Sequence, residues 1–139
     1  MKTLVTLKQT LQKSALVLLV SALSVIANAG SLSTGTPFVK LASFAAAVNN
    51  TNTNKVDLKW STETETNLNY IMVEKSTDGL NFNDAALVFT YGNTTGKSDY
   101  SFTDNISKVK SASVYYRLRS VTANGASQYS ETLQVSIGK

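Results

Sequence analysis

Val56-Asp57-Leu58-Lys59-Trp60 reads apolar, charged, apolar, charged, aromatic. That period-two alternation is the pattern of a strand with one buried face. Val56, Leu58 and Trp60 point one way, into a core. Trp60 is the only tryptophan in the chain and is expected to be the largest single piece of that core. Removing such a side chain typically costs roughly 3–5 kcal/mol, against a total stability of about 5–15 kcal/mol.

Upstream, the chain opens on a different pattern. Lys2, Lys8 and Lys13 precede an apolar run at 15–26 (ALVLLVSALSVI) that ends in Ala27-Asn28-Ala29. A basic start, a short apolar stretch and a small-x-small site are the layout of a secretory signal peptide. The apolar run is short for a membrane span, so cleavage before Gly30 is expected. With those three lysines removed, ten basic residues face nine acids, and the net charge falls from +4 to +1. A near-neutral domain has no electrostatic footprint for nucleic acid. The chain has no cysteine and no histidine. That excludes disulfides, thiolate metal sites and the commonest general base and zinc ligand. The core alone must hold an exported domain of about 110 residues, a size that buries roughly two-thirds of its unfolded surface.

Residues 30–36 are small and polar and read as a flexible leader. Pro37, the only proline, marks the start of a first strand over 38–48. The polar tract 49–54 (NNTNTN) reads as a loop, as does 61–69 (STETETNLN) on the far side of the Trp60 strand. Residues 70–76 read as a strand and Asp78-Gly79 as a tight turn. Strands are expected over 82–91 and around Tyr100–Phe102, with a loop at 92–97 and an end at Asp104-Asn105. Residues 113–122 (SVYYRLRSVT) are rich in β-formers, and Asn124-Gly125 gives a hairpin signal. Residues 128–137 read as one last strand, with Tyr129, Leu133, Val135 and Ile137 on one face, Glu131 being the exception, and Gln128, Ser130, Thr132, Gln134 and Ser136 on the other. About seven short strands with regular turn signals and no helical periodicity indicate an all-β fold, a single antiparallel β-sandwich over 37–139. The expected core is Val56, Leu58, Trp60, Val73, Tyr116, Leu118, Leu133 and Val135. A tryptophan on the second strand and tyrosines on the penultimate one suit a fibronectin type III-like version.

Blocks along the chain strengthen that reading. Pro37 to Leu41, Ser43-Phe44, Leu58-Lys59-Trp60-Ser61-Thr62, Glu65-Thr66-Asn67 and Val73-Glu74-Lys75-Ser76 form one set. Asp78-Gly79, Asn81-Phe82, Tyr100 to Asp104, Tyr115-Tyr116-Arg117-Leu118, Gly125 and Tyr129-Ser130 form the other. In order and spacing the sequence resembles a fibronectin type III-like module of secreted Bacteroidetes proteins. There the module commonly stands before a C-terminal sorting domain of the type IX secretion system. The resemblance implies an accessory or spacer role with no assigned chemistry. The sequence runs to Gly138-Lys139 directly after the last strand, so no sorting domain is expected. A periplasmic or extracellular location follows from the signal peptide instead.

Few residues invite chemistry. Glu63 and Glu65 are paired acids that a glycosidase or a calcium site would use, but they lie two apart in an expected loop. Glu65 and Asn67 match positions of the resembled module, which implies a hydrogen-bonding role at that turn. Asp78, Asp99 and Asp104 lack the spacing of a calcium loop and read as turn and cap residues. No catalytic, cofactor or metal residues are therefore expected. Tyr115, Arg117 and Arg119 alternate against Tyr116 and Leu118, and one tyrosine is expected in the core, in the manner of a tyrosine corner. The outward set suits a binding surface, since Tyr and Arg are enriched at contact hot spots.

The stretch Ala85-Ala86-Leu87-Val88-Phe89-Thr90-Tyr91 admits two registers. Alternation alone turns Leu87, Phe89 and Tyr91 inward. The resemblance turns Val88 inward and leaves those three exposed beside Met72. A bulge would reconcile the two. The candidate interaction face is then Met72, Leu87, Phe89, Tyr91, Tyr115 and Arg117. Its expected partner is another envelope or secreted protein, with polysaccharide stacking on exposed tyrosines as the alternative. No cofactor, no nucleic acid and no stable membrane insertion after cleavage are expected.

Overall fold

The computed structural model describes residues 38–138. The expected signal peptide, the leader at 30–36 and Pro37 lie outside the described residues. Eight strands follow one another: β1 (Val39–Val48), β2 (Lys55–Glu65), β3 (Leu68–Ser76), β4 (Asn83–Phe89), β5 (Ser98–Asn105), β6 (Ser113–Thr122), β7 (Ser127–Tyr129) and β8 (Leu133–Ser136). One sheet has the order β1-β2-β5. The other has the order β4-β3-β6-β7, with β8 also pairing β6. Every pairing is antiparallel, and the described residues contain no helix. The chain is a β-sandwich.

The core lies between the inner faces. Val56, Leu58 and Trp60 of β2 meet Ile71 and Val73 of β3, Val114, Tyr116 and Leu118 of β6, Ile106 after β5 and Val135 of β8 in one buried cluster. Leu133 is half-buried. Trp60 stacks on its cross-strand neighbour Tyr100, with ring centroids 5.8 Å apart and planes 18° from parallel.

Three connections differ from the sequence expectation, each for a physical reason. The loop expected at 61–69 is mostly strand. β2 continues to Glu65, and only Thr66 and Asn67 carry the chain from one sheet to the other. Ser61, Thr62 and Glu65 are polar yet buried, because each finds a partner. The Ser61 and Ser43 hydroxyls lie 2.7 Å apart, and the Thr62 hydroxyl donates to Glu65 Oε1 at 2.8 Å. Asn67 makes the sharp exit in the left-handed region, at φ 53°.

The strand expected over 128–137 is two strands. The break at 130–132 reverses the facing of its first half. Tyr129 is exposed rather than inward, and Gln128 turns in, its side-chain amide donating to the Val39 carbonyl at 3.2 Å. Ser130 fills the gap in the ladder. Its Oγ accepts from the Leu118 amide at 2.9 Å and donates to the Glu131 carbonyl at 2.6 Å. At the β6–β7 hairpin only Gly125 takes positive φ, at 86°, with its amide on the Thr122 carbonyl at 3.0 Å. The loop therefore has three residues, with glycine in the left-handed position, rather than the two-residue form.

Asp104 is the third difference. It is a buried inter-sheet anchor, not a turn residue. Lys75 of β3 and Tyr116 of β6 sit side by side in register. Lys75 Nζ reaches Asp104 Oδ2 at 2.9 Å, and the Tyr116 hydroxyl donates to the same oxygen at 2.8 Å. Tyr116 thus ties to a side chain across the sandwich instead of to backbone.

A bulge settles the register of β4. Val73 pairs with Ala86 and Glu74 with Asp84, which leaves Ala85 as an extra residue. Ala85 and Ala86 both pack on the core, and so does Val88. Leu87, Phe89 and Tyr91 then face solvent, at 45%, 74% and 76% exposure. Val88→Asp is expected to destabilise the domain by several kcal/mol, whereas Leu87→Asp or Phe89→Asp should shift stability by no more than about 0.5 kcal/mol. Urea unfolding of the three variants checks this. Equal losses at 87 and 88 would contradict the bulged register.

Candidate functional site

The outer face of the β4-β3-β6-β7 sheet carries two different surfaces. One end is apolar. Phe89 and Leu87 of the outer strand β4 pair with Tyr70 and Met72 of β3. Residues directly opposite one another in an antiparallel pair share a face, so these four side chains form a patch beside the sheet edge. Tyr70 and Met72 are half-buried, and neither Phe89 nor Leu87 has a strand on its other side. Tyr91, just past β4, is also exposed but turns toward the other sheet. Its ring leans on Tyr100, with centroids 6.1 Å apart and planes 36° from parallel. Trp60, Tyr100 and Tyr91 therefore form an aromatic series running from the core to the surface.

The other end of the face is ionic. Glu74 is buried and accepts from Arg117 Nε at 2.7 Å and Arg119 Nε at 2.6 Å. Arg119 also reaches Asp84 at 3.1 Å. The Arg117 guanidinium lies over two rings, 4.1 Å from the centroid of Phe82 and 4.4 Å from that of Tyr129. Burial raises the Glu74 pKa, but the hydrogen bonds from Arg119 and Arg117 outweigh it and hold the carboxyl below its usual range. The same contact, with Glu74 first among its causes, raises Arg119.

These contacts sort the sequence candidates. Met72, Leu87 and Phe89 come together, with Tyr70, whereas Tyr91 leans on Tyr100 of the opposite sheet. Tyr115 lies beyond Glu74 and Arg117, beside Ser76, and a methyl group placed on Gly79 would sit 3.3 Å from its ring. It packs on the Asp78-Gly79 turn, apart from the apolar strip. Arg117 is already engaged by one carboxylate and two rings.

The acidic candidates hold structure. Glu65 is only 2% exposed, and its Oε1 accepts from the Tyr100 hydroxyl at 2.7 Å and from Thr62. Glu63 is exposed and pairs with Lys40. Asp78 closes its turn by accepting from the Asn81 side chain and amide, from Ser76 and from the Leu80 amide, which hold it well below the usual carboxylate range. Asp99 pairs with Lys97 at 2.8 Å on the surface. Among the described residues no group of three or more acids, histidines or cysteines could hold a metal ion. Sequence reading missed Glu74. Its signal was an acid in the middle of an apolar strand, which required charged partners, and Arg117 and Arg119 alternate on the expected outer face of β6.

No family model matches the chain, and no curated protein matches it in sequence. Solved structures do share the fold. A DUF3823 family protein from Bacteroides ovatus superposes with a TM-score of 0.56 at 16% identity, covering 73% of this chain and 56% of that one. OgpA from Akkermansia muciniphila superposes with a TM-score of 0.57 at 10% identity, covering 75% of this chain and 28% of that one. The chain thus spans little more than half of one neighbour and under a third of the other. At these identities the likeness is one of β-sandwich architecture.

Two tyrosine hydroxyls, one buried and one half-buried, give the sandwich a pH signature. Burial first, and then the hydrogen bond to Glu65, push Tyr100 up to about 12. Burial and the bond to Asp104 raise Tyr116 still further. Both hydroxyls are held protonated in the fold, whereas in the unfolded chain they titrate near pH 10. Their contribution is therefore complete below pH 10 or so and lost as pH rises past it. Urea unfolding should show stability falling between about pH 10 and 12. The fall should be shallower in Tyr116→Phe, which itself costs about 1–2 kcal/mol at neutral pH by leaving Asp104 short of a donor. A flat alkaline profile in the unsubstituted protein would contradict the assignment.

Proposed function

We propose that this chain is an exported, non-catalytic β-sandwich, a fibronectin type III-like accessory or interaction module of the cell envelope. It works by contact with another envelope or secreted protein through the strip of Leu87 and Phe89 beside Met72. The observation that carries this reading is the exposure of Phe89, with Leu87, on an outer strand. Large rings left in solvent next to an unpaired sheet edge are costly in a monomer and common at contact surfaces. The division of strands, β1-β2-β5 against β4-β3-β6-β7, supports the fibronectin type III-like part. The acids engaged in ion pairs, turns and buried hydrogen bonds support a role without catalysis. The leading basic and apolar segment supports export.

Polysaccharide is the second reading. It is favoured by the Tyr91 ring, which stands exposed at the end of the series that starts at Trp60.

The test is retention. The protein, expressed as the full chain and immobilised, is challenged with an envelope extract of the cell that makes it and with a panel of insoluble polysaccharides. The expected result is one envelope protein held by the unsubstituted chain and lost in Phe89→Lys, with circular dichroism unchanged. Retention of a polysaccharide alone, lost in Tyr91→Ala, would favour the second reading. Retention of neither would overturn both.

A further inference from the structure

The strip lies on a strand edge as well as on a face. β4 has β3 on one side and no strand on the other, so alternate N–H and C=O groups along it point outward. Natural edges are blunted by lysine, proline, bulges or shortness. From Ala86 to Phe89 β4 has no charge and no proline, and its one bulge lies before this segment, at Ala85. The other edges are better defended. β1 carries Lys40 and two register irregularities. β5 carries Asp99 and polar side chains at Ser101 and Thr103. β7 and β8 are three and four residues long and are separated by the break at 130–132.

We propose that β4 pairs antiparallel with β4 of a second copy of this chain about a two-fold axis at Val88. This deepens the contact reading above and rests on it. With the axis at Val88, Leu87 of each copy lies opposite Phe89 of the other, and Ala86 lies opposite Thr90. Each ring meets a smaller aliphatic chain on the outer face, and Val88 meets Val88 on the inner one. The surface is complementary to itself, as a two-fold contact requires.

Electrostatics favour the same occupant and direction. The paired segment is uncharged. The ionic group next to it, Glu74 and Asp84 with Arg117 and Arg119, balances two negative charges with two positive ones. Asp84 is the only charge on β4, and the antiparallel axis sends the two copies of it to opposite ends of the ladder. They stand eight residues apart, or roughly 27 Å at strand spacing. A parallel arrangement would set them side by side. The ladder is short, because the bulge ends it on one side and Gly92 follows closely on the other. A contact this small is weak and concentration-dependent.

Sedimentation equilibrium of the full chain, from about 10 μM to about 1 mM, brackets the affinity of such a contact. The expected result is a monomer that becomes a dimer over this range. Phe89→Lys should weaken the dimer by at least about tenfold, and Leu87→Lys likewise. The pairing itself is read by disulfide trapping, because the chain has no cysteine of its own. Directly opposed strand residues have Cα separations that a disulfide can span. Mixing Leu87→Cys protein with Phe89→Cys protein under mild oxidation should give the mixed dimer in excess over either homodimer. A monomer throughout the range, a dimer indifferent to Phe89→Lys, or homodimers trapped as readily as the mixed one would each overturn the proposal. A monomer that still retains an envelope protein through the strip overturns the self-pairing and leaves the contact reading standing. A dimer that retains nothing supports self-pairing and removes the separate partner.

Discussion

One extra residue decides what this surface presents. Opposite Val73 and Glu74 of β3, strand β4 fits three residues, Asp84, Ala85 and Ala86, where a regular ladder has room for two. Because side chains alternate with period two, one inserted residue reverses the facing of everything after it. Ala85 and Ala86 are small enough for both to sit against the core. The residue that then turns inward is Val88, and the larger Leu87 and Phe89 turn out. Burying Leu87 and Phe89 would gain more from the hydrophobic effect than burying Val88. The bulge therefore trades burial for an apolar strip on the surface, which is the compromise expected where a surface has work to do.

The rest of the sandwich is held firmly enough to absorb that cost. It has no disulfide. Three buried carboxylates, each with dedicated donors, fix its parts instead. Asp104 joins the two sheets through Lys75 and Tyr116. Glu74 locks β3 to β6 through both arginines. Glu65 ties the end of β2, just before the chain crosses to the other sheet, to Tyr100 of β5 and to Thr62. Such groups add little net stability over well-packed apolar ones, but removing one partner leaves a buried polar group exposed to a large penalty. They make the register expensive to change.

Much of this was legible in the sequence, and the exceptions share a cause. β6 was readable because Val114, Tyr116 and Leu118 alternate strictly with Tyr115, Arg117 and Arg119. The Trp60 strand was readable for the same reason. Its continuation was not, because Ser61, Thr62 and Glu65 are polar and their burial depends on partners far away in sequence. The break at 130–132 was hidden because alternation seemed to run from Tyr129 to Ile137. Glu131 on the apolar face was its one trace, and the Ser130 side chain, closing on the Leu118 amide, makes the change of phase. Over 85–91 alternation favoured Leu87, Phe89 and Tyr91 inward, while the resemblance pointed to Val88; the extra residue Ala85 reverses the phase, and periodicity does not show it. Asp104 and Glu74 became anchors only when Lys75, Tyr116, Arg117 and Arg119 were brought beside them in space.

The apolar surface depends on Val88 being inside and Phe89 and Tyr91 being exposed. Hydroxyl-radical footprinting of the dilute protein, read residue by residue by mass spectrometry, tests that most directly. Phe89 and Tyr91 should be oxidised at rates close to those of the urea-unfolded chain, while Tyr116 and Trp60 are strongly protected. Protection of Phe89 equal to that of Tyr116, at a concentration where the protein is monomeric, would contradict the bulged register and remove the surface on which the functional reading rests.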